Sequence, residues 1–391
     1  MTSLKIGFLP LVRSTFDIPF AEQMINDAKS ALLTTGFQLE EPEQPISDLA
    51  IAQEIALKFA DMPIDLLLIF QASFADSTMV VELVQSIDAP IFLWAVPEDW
   101  TGGRLRLNSL CGINLAGHAL KLRKYQYDYA YALPDDAEAL NKIRDLARVG
   151  ALRRHLKSAR LGVVGEHPEG MDTCHLDEAQ LKEIFGVQIQ HIELDGVFSR
   201  SRAIPETTID QTRNVLDLKL DNLSTLDQTP LNGTLSIYNA LKDISAEEKL
   251  DGLAVRCWPE FFTDMGCAAC GAMSMLSDGF EMDAPLPCSC EADINGTLTQ
   301  FILQNLAGAP AFGTDIVGVD QEQDLVALWH CGLAPLTMAD PNIPAQGGLH
   351  SNRNVPLVMD FTLKPGVVTF ARISHATGEL RLVLGKGEML A

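Results

Sequence analysis

Residues 64–69 read IDLLLI, a run that is almost continuously apolar and too short for an ordinary helix. A strand that is wet on one face alternates apolar and polar residues, so a run without alternation marks a strand covered on both faces. Residues 89–96, closed by Pro97, form a second such run, and residues 4–9 form a third. The stretch between the first strand and the second, residues 20–33, carries apolar residues at helical spacing. Doubly covered strands separated by helices require βαβ crossovers and hence a parallel sheet. Polar segments come after each strand at 13–17, 71–76 and 98–106. In an open parallel sheet these are the carboxyl ends, where ligands bind.

The same texture restarts near residue 159. A strand at 160–164 runs into a Gly/Pro-rich turn, followed by a helix at 176–185, a strand at 187–194 and a further buried strand at 250–256. The turn, GEHPEG, lacks the G-x-G-x-x-G of a dinucleotide fingerprint, so it offers little support for nucleotide binding. After about residue 312, β-branched residues and turns replace the alternation, in short strands at 317–319, 325–329, 357–361, 366–373 and 379–384. The expected fold is α/β: two βαβ open parallel-sheet domains, 1–158 and 159–312, followed by a small antiparallel β-rich domain, 313–391.

Composition excludes several functions. Fifty-two acidic against 29 basic residues leave a formal charge of −23, the wrong sign for a nucleic-acid partner. No stretch approaches the roughly 20 apolar residues of a membrane span. The first apolar run is broken by Gly7 and Pro10 and reads as a strand rather than a signal peptide. With that, eight scattered cysteines indicate reduced thiols and a cytoplasmic location. Cys267-x-x-Cys270 with Cys288-x-Cys290 invites a structural zinc site. The single spacer of the second pair and the small apolar setting of the first favour packed thiols instead.

The chemistry concentrates late in the chain. Cys290-Glu291-Ala292-Asp293-Ile294-Asn295-Gly296 precedes an apolar helix, where two carboxylates serve either as caps or as ligands. A short strand-like run ends in Asp315, and His330 interrupts a buried-looking strand. Carboxylates and an imidazole converging from element ends are a donor set for Mn²⁺ or Mg²⁺, although a lone histidine in such a strand is also an ordinary core residue.

Several segments together resemble the L-fucose/L-arabinose isomerase superfamily. They are KIGFLP with Arg13 and Asp17, LWAVPE followed by GRLRLNSLCG, AVRCWP, the Cys290-Glu291-x-Asp293-x-x-Gly296 cluster, Thr314-Asp315, and LWHCG around His330. The likeness runs from the first strand to about residue 385. The spacing of 24 between Glu291 and Asp315 is similar to that of the two metal-binding carboxylates in L-fucose isomerases. The resemblance implies an aldose–ketose isomerase using Mn²⁺ or another divalent cation such as Mg²⁺ or Co²⁺. Glu291 and Asp315 would act as ligands and as acid and base, and His330 as a ligand. Long members of the family carry a further histidine segment near the C-terminus, and no such segment comes after residue 384 here. Either His330, His350 or a neighbouring subunit would then complete the shell, or the site is weakened, with an exposed surface residue the plain alternative for His350. Arg13, Gln71, Trp94, Asn108 and Arg256, at strand ends or in the loops after them, are the expected substrate-facing residues. Trp94 suits either a sugar face or the core. The resemblance also implies a homo-oligomer, a trimer or hexamer. A non-catalytic sugar-binding or regulatory protein, and a metal-dependent lyase or epimerase, are the rival readings.

Overall fold

The computed structural model describes residues 3–390, which divide into two compact units, Met1–His155 and Leu156–Ala391. The first contains a five-stranded parallel sheet of β1 (Lys5–Leu11), β2 (Gln38–Glu40), β3 (Leu66–Gln71), β4 (Ile91–Ala95) and β5 (Asp128–Tyr131). Their order is β2-β1-β3-β4-β5, so the winding reverses between β1 and β3. The run at 64–69 behaves as its composition demands, because successive side chains point to opposite faces. Leu67 and Ile69 join one core with Leu83, Ile113 and Leu120, while Leu66, Leu68 and Phe70 join another with Ala28, Leu32 and Ile143. Helices therefore cover both faces. Aspartates start four of them, Asp17, Asp48, Asp76 and Asp136 each accepting a backbone N–H of the first turn at 2.8–3.1 Å.

The second unit holds a four-stranded parallel sheet: β6 (Arg160–Val164), β7 (Gln188–Ile192), β8 (Gly252–Val255) and β9 (Cys288–Ser289), in the order β7-β6-β8-β9. The long helix Gln228–Glu248, with Leu231, Leu235 and Tyr238 fully buried, packs in one core with Leu253, Val255 and the helix Cys270–Asp278. The later strands are antiparallel two-stranded ribbons: β10 (Asp315–Asp320) with β11 (Leu325–Trp329), β12 (Gln346–Gly348) with β13 (Val358–Asp360), and β14 (Gly366–Ser374) with β15 (Arg381–Met389). The α/β class with parallel sheets and small antiparallel sheets toward the C-terminus is therefore as read from the sequence. These ribbons pack within the second unit. Ile373 of β14, for example, donates its N–H to the Thr299 hydroxyl on the helix Ile294–Ala307 at 3.0 Å.

Candidate functional site

In the second unit β8 and β9 lie side by side and parallel, with Leu253 opposite Cys288, so both strands deliver their succeeding loops to one edge of the sheet. Arg256 and Cys257 come directly after β8; Cys290 and Glu291 come directly after β9. The turn after β9 is tight. Asp293 donates its N–H to the Cys290 carbonyl at 3.0 Å, and both central residues are left-handed, Glu291 at φ 55° and Ala292 at φ 54°. That conformation costs a non-glycine residue roughly 1–2 kcal/mol, so the surrounding structure must enforce it. Asp293 does much of this. It caps the next helix through the Gly296 N–H at 2.9 Å and forms an ion pair with Arg372 of β14, while the Ser289 hydroxyl donates to its carbonyl at 2.6 Å.

The two acids of this motif are thus separated by task. Asp293 is spent on the cap and on Arg372. Among the described residues, Glu291 has no side-chain hydrogen bond, and burial lifts its pKa above the ordinary carboxylate range. The charge of His330 opposes that lift, and those of Cys331, Asp315 and Asp293 add to it. His330 directly succeeds β11, and the register pairs its neighbour Trp329 with Asp315 at the start of β10. The hairpin therefore brings Asp315 and His330 to one end of one ribbon, although fifteen residues separate them. Burial pulls the His330 pKa down, but the adjoining Cys331 and the carboxylates of Glu291 and Asp315 outweigh it, and the net shift is upward. Its Nδ1 lies 2.8 Å from the Cys331 backbone nitrogen and 3.2 Å from Cys331 Sγ. Glu291 and His330 carry oxygen and nitrogen donors of the kind Mn²⁺ or Mg²⁺ takes, but the tight donor groups at this edge set Glu291 with Cys257 and Cys290, and His330 with Cys290 and Cys331, and leave Asp315 outside.

The other residues named from the sequence have these surroundings. Arg256 grips Glu260 with both ends of its fork, Nε and Nη2 each at 2.8 Å, and donates Nη1 to the Glu166 carbonyl at 3.1 Å. In the first unit, Arg13 pairs with Asp76 at 3.1 Å and lies over the Phe74 ring. Asn108 is left-handed at the start of the helix Ser109–Leu122 and donates its N–H to Glu98 at 2.6 Å. Gln71 is 0% exposed; its Oε1 accepts the Ala75 N–H at 3.0 Å and its Nε2 has no partner. Trp94 is also 0% exposed, donates Nε1–H to the Ala132 carbonyl at 3.0 Å and stands edge-on to Phe70. Of its two readings the core one describes this arrangement, since no ring face is left for a sugar. A shallow 530 Å³ hollow lined by Gln190, His191, Glu193 and Arg200 contains none of these residues.

Spacing misleads about the thiols. Cys270 and Cys290 do not gather with their sequence partners Cys267 and Cys288. Instead Cys290 lies 2.7 Å from Cys257 and Cys270 lies 3.3 Å from Cys331, sulfur to sulfur. His350 is placed with Cys270 and Cys331, all three donor atoms within 4.8 Å of one another. The motifs AVRCWP and LWHCG already hold the two extra cysteines, but only the sheet edge shows that they converge.

A parallel-sheet α/β protein with an acid and a histidine beyond its strand ends offers groups able to move a proton. Comparison with known proteins narrows this. Residues 7–157 match the N-terminal domain of fucose/sulfoquinovose isomerase. Sulfoquinovose isomerase of Alkalicoccus urumqiensis is 32% identical over 391 residues, 99% of this chain and 86% of that protein. The sulfoquinovose isomerase of Priestia megaterium is 32% identical over 393 residues, 100% of this chain and 86% of its own length. Likeness to solved structures is weak. A periplasmic solute-binding protein of Actinobacillus succinogenes with bound D-allose, 11% identical and covering 82% of this chain and 99% of its own, reaches a TM-score of 0.22, too low to carry an argument. The chain belongs to the fucose/sulfoquinovose isomerase family, and so to the sugar isomerases.

Proposed function

We propose that this chain interconverts an aldose and a ketose with the help of a divalent cation, and that a sulfonated sugar of the kind named for its relatives is the first substrate to test. The observation that carries the reading is Glu291: a half-buried carboxylate that accepts no hydrogen bond among the described residues, held at the carboxyl end of β9 by a left-handed turn. Isomerisation moves a proton from the carbon beside a carbonyl to the carbonyl carbon. The base that does so works best when its pKa lies near the operating pH. Burial moves Glu291 in that direction. Glu291 takes the proton from one carbon and returns it to the next, while Asp315 serves the neighbouring hydroxyl as acid and base. Glu291, Asp315 and His330 would hold the cation, which when bound polarises the carbonyl and offsets negative charge developing on two adjacent oxygens. Mn²⁺, Mg²⁺ and Co²⁺ all suit this donor set. Arg13, Asn108 and Arg256 remain candidates for contacting an anionic or hydroxylated substrate.

The proposal includes a homo-oligomer, a trimer or hexamer, and a cytoplasmic location. Eight free cysteines support the location, and no described helix is long and apolar enough to cross a membrane. The test is a screen of aldoses and ketoses, sulfoquinovose included, with each cation added after chelation. Glu291→Gln is expected to lower turnover by roughly 10²–10⁴-fold with an unchanged circular dichroism spectrum. Turnover indifferent to both chelation and the substitution would end the proposal.

A further inference from the structure

Beside the carboxylates lies a second donor set of a different chemical kind. Cys257, Cys270 and Cys290 are buried, and Cys331 and His350 adjoin them. They come from separate places in the chain: the end of β8, the start of the helix Cys270–Asp278, the end of β9, the residue after His330, and the loop after β12. Backbone bonds knit those places together. The Gly271 N–H donates to the Leu357 carbonyl at 3.0 Å, the Ala268 N–H to Pro356 at 3.1 Å, the Met359 N–H to Gly332 at 3.0 Å and the His350 N–H to Val355 at 2.9 Å. The His350 ring stands edge-on to Phe262 at 5.0 Å. Four thiols from four separate segments meet here, Cys257 beside Cys290 at 2.7 Å and Cys270 beside Cys331 at 3.3 Å.

We propose that Cys270, Cys331 and His350 form a site for a thiophilic divalent cation, zinc above all, adjoining Glu291 and His330, with Cys290 as the nearest further thiol. The donor atoms of the three residues lie within 4.8 Å of one another, and those of Cys290 and Cys331 likewise. Zinc held by sulfur at about 2.3 Å and by nitrogen at about 2.0 Å needs its ligand atoms roughly 3.5–4 Å apart, which this cluster meets with small adjustments. Thiolates select zinc over Mn²⁺ or Mg²⁺, and carboxylates the reverse, so the two sets sort cations by softness. Binding displaces the thiol protons to solvent and changes no oxidation state. This assignment takes His350 out of the carboxylate centre. Because zinc would tie the segments of Cys270, Cys331 and His350 together, its role is to brace the sheet edge that carries Glu291. It does not depend on the isomerase reading.

The test is metal content and spectrum. Full-length protein is purified anaerobically after growth with zinc and manganese and assayed by mass spectrometry of metals, alongside Glu291→Gln, Cys270→Ser and His350→Ala. About one zinc per chain is expected in the unmodified protein and in Glu291→Gln, falling more than roughly tenfold in the other two. Since Cys270→Ser could unfold the chain, the unmodified protein is also loaded with Co²⁺. A thiolate-to-cobalt charge-transfer band in the near ultraviolet, removed by competing zinc, supports the site. Reduced protein that takes up neither zinc nor cobalt, or zinc lost equally in Glu291→Gln, overturns it. So does a Cys270–Cys331 disulfide in the anaerobic preparation. Sugar turnover enters none of these readings, so failure of the zinc site and failure of the isomerase proposal are told apart.

Discussion

Glu291 and Asp293 stand two positions apart in one motif, yet the fold gives them opposite duties. A carboxylate that accepts a helix N–H and pairs with an arginine is neutralised in place, as Asp293 is by Gly296 and Arg372. Glu291 is half-buried and accepts no side-chain hydrogen bond among the described residues, surroundings in which reactive groups and ligands are often found. From the sequence both serve equally well as caps, because the cap depends on a two-residue difference in where the helix starts. Arg256 and Glu260 show the opposite extreme, a pair held in a two-pronged contact in which the Arg256 hydrogen bond keeps the Glu260 pKa below its usual 4.5. A carboxylate depressed in the folded state contributes stability above its unfolded pKa and loses it as pH falls through the folded value. Glu260→Gln is therefore expected to flatten the acid limb of stability below about pH 4.5 while leaving the loss at lower pH from other acids intact. Urea midpoints measured from pH 6 down to pH 3 check this, and an unaltered acid limb would contradict it.

At the scale of elements, the sheet strands are the most legible part of the chain. Their composition is a direct consequence of burial on both faces, and the runs at 64–69 and 89–96 form β3 and β4 with little displacement. Helix-to-sheet approach is not legible, because it depends on single small residues. Gly150, within the helix Ala137–Ser158, lies so near the first sheet that an added Cβ would sit 1.7 Å from the Asp65 carbonyl oxygen. Gly150→Ala, which raises helix propensity in isolation by about 1 kcal/mol, is expected to destabilise the protein by about 1–3 kcal/mol instead, since backbone must move to admit the methyl. Thermal or urea unfolding decides the sign. The β10–β11 hairpin is the element that matters most for the site. Its register, with Asp315 opposite Trp329, carries Asp315 and His330 to a common end, and neither residue alone announces that partnership.

For the whole molecule, the late strands leave large apolar side chains outside. Ile316, Val317 and Val319 of β10 and Leu382, Val383 and Leu384 of β15 are exposed. Exposed apolar side chains on such ribbons suit a contact surface, and the oligomer proposed above would cover them with further copies of the chain. Light scattering is expected to return a multiple of the 42.7 kDa chain mass, and Val319→Glu with Val383→Glu to shift it toward the monomer. A monomeric mass for the unmodified protein at micromolar concentration would count against that covering.

The α/β class and the apolar parallel strands β1, β3, β4, β6 and β8 were determined by the sequence alone, because apolar runs are local properties that survive in one dimension. Only the tertiary structure decided which neighbours each group meets. It closed Trp94 into the core, set Asp293 apart from Glu291, and took Cys270 and Cys290 away from the pairs their spacing suggested. The reason is geometric: a parallel sheet gathers the loops after adjacent strands at one edge, and strands adjacent in space, such as β8 and β9, are dozens of residues apart in the chain.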